Sequence, residues 1–319
     1  MDLSTAAAIA TGLAISIYIC LDGFDLGVGV LLLFAGPEEM RDRMVASIAP
    51  TWDGNETWLI MAGIIIFAAF PLAYATLLPA LYMPIITMLL SLGLRGVSFE
   101  FRYQTTNRRF VWDSVFFAGS VVAALMQGVI AGTLISGVYS FHPVLVGTTA
   151  LAVLAGYTMI GAGWLHFKGD GDMRRYAERV LRISVPAFGF LAALPPLVAY
   201  LVQANVAARW DHLPWLYFGL ATLAVVLLIV QFARIGKTPD ITPFLCGLGL
   251  FSLGLFGFGM SIFPYAVPYE FTIWAAASPG DSQLFLLIGV GVVAPIVVAY
   301  SLYAYFVFRG KTPVQGWEQ

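Results

Sequence analysis

The chain has 319 residues, 60% of them hydrophobic and 11% charged, with a formal net charge of −2 at neutral pH. A soluble globular domain carries about 25% charged residues, so this composition excludes an ordinary water-soluble enzyme or binding module and marks an all-α integral membrane protein. The two cysteines, Cys20 and Cys246, fall in apolar stretches and read as small packing residues rather than as a disulfide or metal site.

A hydrocarbon core of about 30 Å takes roughly 20 helical residues to cross. Nine apolar stretches meet that need, at about 6–35, 54–70, 75–97, 112–135, 145–167, 182–203, 213–233, 242–263 and 284–308. The first has neither a cationic start nor a convincing cleavage site, and is expected to be a retained helix rather than a removed signal peptide. The connections around 36–53, 98–111, 168–181 and 264–283 are too short to hold cores of their own. Cations concentrate on one side. Arg41 and Arg43 follow the first stretch, Arg95, Arg102, Arg108 and Arg109 the third, Lys168, Arg174, Arg175, Arg179 and Arg182 the fifth, Arg234 and Lys237 the seventh, and Arg309 and Lys311 the ninth. Only Arg209 falls on the other side. Short loops rich in Lys and Arg stay cytoplasmic, which predicts nine spans with the N-terminus in the periplasm and the C-terminus in the cytoplasm.

Three polar knots interrupt this pattern. In "LDGFDLGVGV", Asp22 and Asp25 share one helix face, and either would cost several kcal/mol if it met lipid while charged. They must face protein or water, and Gly23, Gly27 and Gly29 beside them let another helix approach closely. The pair can be structural, satisfied by neighbouring donors, or a proton relay; the spacing does not choose. In "APTWDGNETWLI", Asp53, Asn55 and Glu56 sit between Trp52 and Trp58. Asp53 with Glu56 three residues on fits a capping box, and tryptophans anchor at interfaces. Two acids and an amide on one turn nevertheless exceed what a cap requires, and at the inner end of a span they could form the mouth of a proton path. In "LRGVSFEFRYQ", Arg95, Glu100 and Arg102 read as a salt-bridged or solvated cluster at the interface.

The chain lacks obvious redox equipment. Haem in a membrane bundle needs axial His or Met ligands within the helices, whereas His142 and His212 fall in outer loops and His166 at the inner end of the fifth stretch. The ten methionines are scattered gap-fillers. No GxxxxGK[ST], HExxH or paired CxxC occurs, so no haem ligand, metal site or catalytic residue is expected in this chain. The Gly-rich "CGLGLFSLGLFGFGMSIFPY" suggests tight helix packing, with bound lipid or quinone as a weaker explanation.

"LDGFDLGVG", "SIAPTWDGNETWLI" and "LRGVSFEFR", followed by "FPYAVP", "SQL" and "APIVVAY", together resemble subunit II of cytochrome bd-type quinol oxidases, over the whole length from first helix to last. The resemblance implies two four-helix bundles, here 6–135 and 145–263, plus one peripheral helix, 284–308. It implies a bacterial cytoplasmic-membrane terminal oxidase that passes electrons from quinol to oxygen, with haems b and d and the quinol site in a partner subunit I. This chain alone would be inactive. It further implies proton uptake from the cytoplasm near the subunit interface, in which the acid of "WDGN", here Asp53, takes part. Glu56, Asp22, Asp25 and Glu100 are the other proton-path candidates. Trp52, Asn55, Trp58, Arg95 and Arg102 are the structural polar cluster around them. Lipids, a structural quinone and a small accessory membrane subunit are compatible with the family; nucleic acid is not expected. The outer loops are shorter than in some relatives, which removes whatever contacts those loops make.

A secondary transporter is the competing class, since intramembrane carboxylates and paired helical halves also serve transport. Against it, no pair of Gly/Pro-broken helices occupies matching positions in the two halves, and "DGFD" and "WDGNE" have no second-half counterparts.

Overall fold

The computed structural model describes residues 2–105, 107–237 and 240–312. The expected cytoplasmic C-terminus, Gln319, lies outside the described residues.

The helices are α1 (Leu3–Leu32), α2 (Glu38–Ala46), α3 (Trp52–Ala69), α4 (Pro71–Ala80), α5 (Tyr82–Gln104) and α6 (Arg109–Ser136), then α7 (Pro143–Lys168), α8 (Gly171–Val202), α9 (Ala204–His212), α10 (Pro214–Arg234), α11 (Thr242–Ile262) and α12 (Gly280–Val307). A short antiparallel pair, β1 (Tyr265–Val267) and β2 (Phe271–Thr272), lies before α12. Among the described residues, eight helices are long and apolar enough to cross a membrane. The predicted span outside that set is α3, only 18 residues long, whose first turn is filled by the polar run Trp52–Glu56.

Several connections carry structure that hydropathy does not reveal. The segment 36–53 contains α2, and α8 begins 11 residues before the apolar stretch expected at 182. That extension is amphipathic: Met173, Ala177 and Leu181 are buried, while Arg175 is exposed and paired with Asp172. The third apolar stretch is broken at Leu81 into α4 and α5.

α1 is the centre of the fold. Every residue from Asp22 to Leu32 is buried, against α3, α6 and α7. The contact with α7 is made by backbone: a Cβ at Gly27 would overlap the carbonyl oxygen of Tyr157, and one at Gly161 would overlap Gly27. Small residues let two helices approach this closely and gain dispersion contacts that lipid cannot supply. Gly161→Ala is therefore expected to force α1 and α7 apart and cost about 1–3 kcal/mol, the usual range for overpacking. Thermal unfolding of the detergent-solubilised protein measures it; an unchanged midpoint would place the two helices farther apart. The glycines of α11 follow this rule only in part. Gly247 faces Ile160 of α7 closely, but a Cβ at Gly254 or Gly259 would meet nothing within 4 Å.

α12 packs on α3 and α1 and buries only Gln283 and Ala304. Phe285, Ile288, Val292, Ile296 and Phe306 are all at least half exposed, an apolar face suited to lipid.

Side-chain contacts gather the basic segments at one end of the helices. Arg43 pairs with Asp170 at 2.5 Å and donates to the carbonyl of Thr312 at 3.2 Å; Arg174 donates to the carbonyl of Lys237 at 2.6 Å. Lys168 donates to the carbonyl of Phe308 at 2.5 Å, and Lys311 to that of Phe167. In the same region Asp240 accepts from Arg234 at 2.6 Å and from the backbone N–H of Thr242, the first residue of α11, at 2.8 Å. Burial pushes its carboxyl up, but the hydrogen bonds from Thr242 and the Arg234 guanidinium outweigh this and hold it below the usual range. Arg209, on α9, belongs to the opposite end, where Val206 and Trp210 pack near Leu145, Ile135 and Tyr269.

Candidate functional site

Residues from each of the three polar knots of the sequence meet between α1, α3 and α5. Asp22 and Asp25 are both fully buried, one turn apart on α1. The Arg95 guanidinium of α5, 1% exposed, donates through Nη2 to Asp22 Oδ1 at 2.6 Å and to Glu56 Oε1 at 2.5 Å. The Trp52 ring centre lies 5.9 Å from its charged carbon, tilted against Phe99. Asp25 has a neutral partner instead. Asn55 Nδ2 donates to its Oδ2 at 2.7 Å and, more weakly, to the carbonyl of Leu21 at 3.4 Å. Tyr305, from α12, donates to Asn55 Oδ1 at 3.1 Å and so fixes the amide.

Burying an ion pair removes both partners from water, and the pair persists only when geometry and further hydrogen bonds repay that cost. Here the accounting is incomplete on the protein side. Asp22 Oδ2, Asp25 Oδ1, and Arg95 Nε and Nη1 are buried without a hydrogen-bond partner among the described residues. Two carboxylates, Asp22 and Glu56, share one guanidinium, and a third, Asp25, has only the neutral Asn55 amide. An apolar enclosure with that excess of acid has a standing use for protons, since protonating a carboxylate removes the uncompensated charge.

Toward the surface, the Glu56 side chain is 24% exposed, and Asp53, three residues before it on α3, is exposed. The capping box expected for this pair does not form. α3 starts at Trp52 with Thr51 at its N-cap and no side-chain cap bond, and Glu56 turns to Arg95 rather than back to the helix start. A buried guanidinium attracts a carboxylate more strongly than an orphan backbone N–H does. Beside α3, a narrow cleft with ≈ 10 Å³ of room for water is lined by Ser47, Pro50, Thr51, Trp164, Lys168, Tyr305 and Phe308.

Other candidates stand apart. Glu100 is exposed and makes no ion pair among the described residues. Arg102 does not join Arg95. It pairs with Asp113 at 2.5 Å and Asp42 at 2.6 Å, in a network with Arg41 and Arg109 that ties α2 to α5 and α6. The two arginines lie seven residues apart on one face of α5 and bind different acids at different depths. Trp58 is 4% exposed and packs with Ala62 and Ile65 in the apolar core, so it is not part of the polar site. Sequence reasoning missed Asp113, a fully buried acid at the start of α6, and Tyr305. A carboxylate soon after Arg102, Arg108 and Arg109 was a usable signal for the first; nothing in the periodicity of α12 singles out the second.

The three histidines lie away from this site. His142 caps α7, His166 contacts Arg174 and Glu178 near the basic end, and His212 ends α9. Among the described residues, no group of three or more His, Cys, Asp or Glu could hold a metal ion.

Residues 3–308 match the family model described as cytochrome bd terminal oxidase subunit II. Cytochrome bd ubiquinol oxidase subunit 2 of Bacillus subtilis is 32% identical over 315 residues, covering 91% of each chain. Cytochrome bd-I ubiquinol oxidase subunit 2 of Escherichia coli is 31% identical over 346 residues, covering 91% of this chain and 90% of that one. The fold is shared with a chain of the bd oxidase structure from Geobacillus thermodenitrificans, with a TM-score of 0.81 at 14% identity, over 97% of this chain and 99% of that chain.

Proposed function

The chain belongs to the cytochrome bd terminal oxidase subunit II family, and we propose that it is the non-haem subunit of a complex that oxidises quinol and reduces oxygen to water, where it supports a haem-bearing subunit I and helps carry protons inward from the cytoplasm. It is a multi-pass protein of the bacterial inner membrane. On this reading α3 and the eight long apolar helices make nine spans, in two four-helix bundles over 6–135 and 145–263 with the 284–308 segment peripheral. The basic end faces the cytoplasm, in keeping with the retention of Lys- and Arg-rich loops there.

The observation that carries the proton role is the buried array of Asp22 and Glu56 on Arg95 with Asp25 held by Asn55 beside them, next to the partly exposed end of Glu56 and the exposed Asp53. Protons move between groups within hydrogen-bond reach or across one water. Asp53 takes a proton from cytoplasmic water, Glu56 passes it inward, and Arg95 keeps the carboxylates from repelling one another. Haems supply the oxygen chemistry from subunit I, and no step of that chemistry is assigned to a residue of this chain.

Purification through a tag on this chain tests the assignment. The complex is expected to bring down a homologous partner and to show the absorbance of haems b and d, while the chain expressed alone shows neither haem absorbance nor quinol oxidase activity. A colourless, self-sufficient protein, or a lone chain that binds haem and turns over, would overturn it.

A further inference from the structure

A second set of polar side chains lies in the interior, between α1, α6 and α7. Tyr157 of α7, 1% exposed, donates its hydroxyl hydrogen to Gln127 Oε1 of α6. The other end of that amide, Nε2, donates to Tyr18 Oη of α1 at 2.9 Å. The chain has a direction. Tyr157 has spent its only hydrogen, whereas Tyr18 is an acceptor here and keeps its own hydrogen to give.

Tyr18 is 3% exposed and stands one helical turn before Asp22, on the same face of α1. Asp22 gives Oδ1 to Arg95, and its Oδ2 is the buried oxygen without a partner among the described residues. An unspent phenol hydrogen and a carboxylate oxygen without a partner among the described residues therefore belong to side chains one turn apart on the same face of α1, both buried. The packing fixes the far end. Tyr157 stacks on Phe251 at 5.1 Å, and Gly23, next to Asp22, leaves the space its ring occupies.

We propose that Tyr157, Gln127 and Tyr18 form a directed hydrogen-bond chain that ends on Asp22 Oδ2 through one bound water, and holds Asp22 as the fixed counter-ion of Arg95, leaving Glu56 and Asp25 to exchange protons. Tyr18 and Gln127 are then positioning residues, acting through Asp22. Successive donors polarise one another, so a change at Gln127 reaches Asp22 without touching it. The proposal rests on the proton-carrying reading of the cluster.

The test is infrared difference spectroscopy on the assembled oxidase with Tyr18→Phe, Gln127→Met and the double variant, substitutions that keep side-chain volume. The Asp22 carboxylate band is assigned by its loss in Asp22→Asn, or by carbon-isotope-labelled aspartate should that variant fail to assemble. The band is expected to shift in Tyr18→Phe and, in the same direction, in Gln127→Met, and the double variant is expected to shift no further than Tyr18→Phe alone. A band unmoved by Tyr18→Phe, or shifts that simply add, would overturn the chain. If the band moves as expected while Asp53→Asn and Glu56→Gln reduce oxygen at the wild-type rate, the chain stands and the proton reading falls. If those two variants are slow and the band does not move, the chain alone falls.

Discussion

Arg95→Met is expected to cost about 3–5 kcal/mol, the usual penalty for removing one partner of a buried ion pair, and to abolish assembly of the oxidase. Methionine fills much of the volume but leaves Asp22 fully buried and Glu56 half-buried with no cation, beside a second fully buried acid in Asp25. The loss is one of compensation rather than of packing, so removing the orphaned charges should restore part of it. Arg95→Met combined with Asp22→Asn and Glu56→Gln is expected to assemble better than Arg95→Met alone. Yield of the complex, its haem absorbance and its thermal midpoint report both effects. Wild-type stability in the single variant would mean that the cluster does not carry the charges assigned to it.

Asp53→Asn separates the mouth of the proton path from its interior. Asp53 is exposed and its carboxylate makes no hydrogen bond or ion pair among the described residues, so the amide is expected to leave assembly and haem content intact. Oxygen reduction should nevertheless slow by roughly 10²-fold, the lower end of what a positioned proton-transfer group contributes, with a matching loss of membrane-potential generation. Glu56→Gln differs, because Glu56 is also a partner of Arg95. It is expected to lower both stability and rate. Normal turnover in a fully assembled Asp53→Asn complex would remove Asp53 from the path and leave Glu56 as the outermost carrier.

Membrane class, the approximate positions of the apolar helices and the family were legible in the residues themselves. Burial in lipid demands long uninterrupted apolar runs, and the "LDGFDLGVG" and "WDGNETW" motifs are dense enough in acid to stand out against such runs. The close helix approach beside Asp22 was legible for the same reason: glycines next to a buried acid permit little else, and the structure places α7 there. Local pattern failed where a tertiary partner outbid it. Asp53 and Glu56 read as a capping box, yet Glu56 serves Arg95. Arg95 and Arg102 read as one cluster, yet a rise of 1.5 Å per residue sets them on different levels of α5, facing different acids.

The sequence by itself determined which groups had to be hidden from lipid, because the cost of exposing a charge there is a property of the residue and its segment. Only the tertiary structure decided how they are hidden. Asp22 found Arg95, 73 positions away, Asp25 found Asn55, and Asn55 found Tyr305 a further 250 positions on. Hydrogen bonds reach about 3 Å and depend on direction, so their partners follow from how helices cross and rotate against one another, which no periodicity along the chain records.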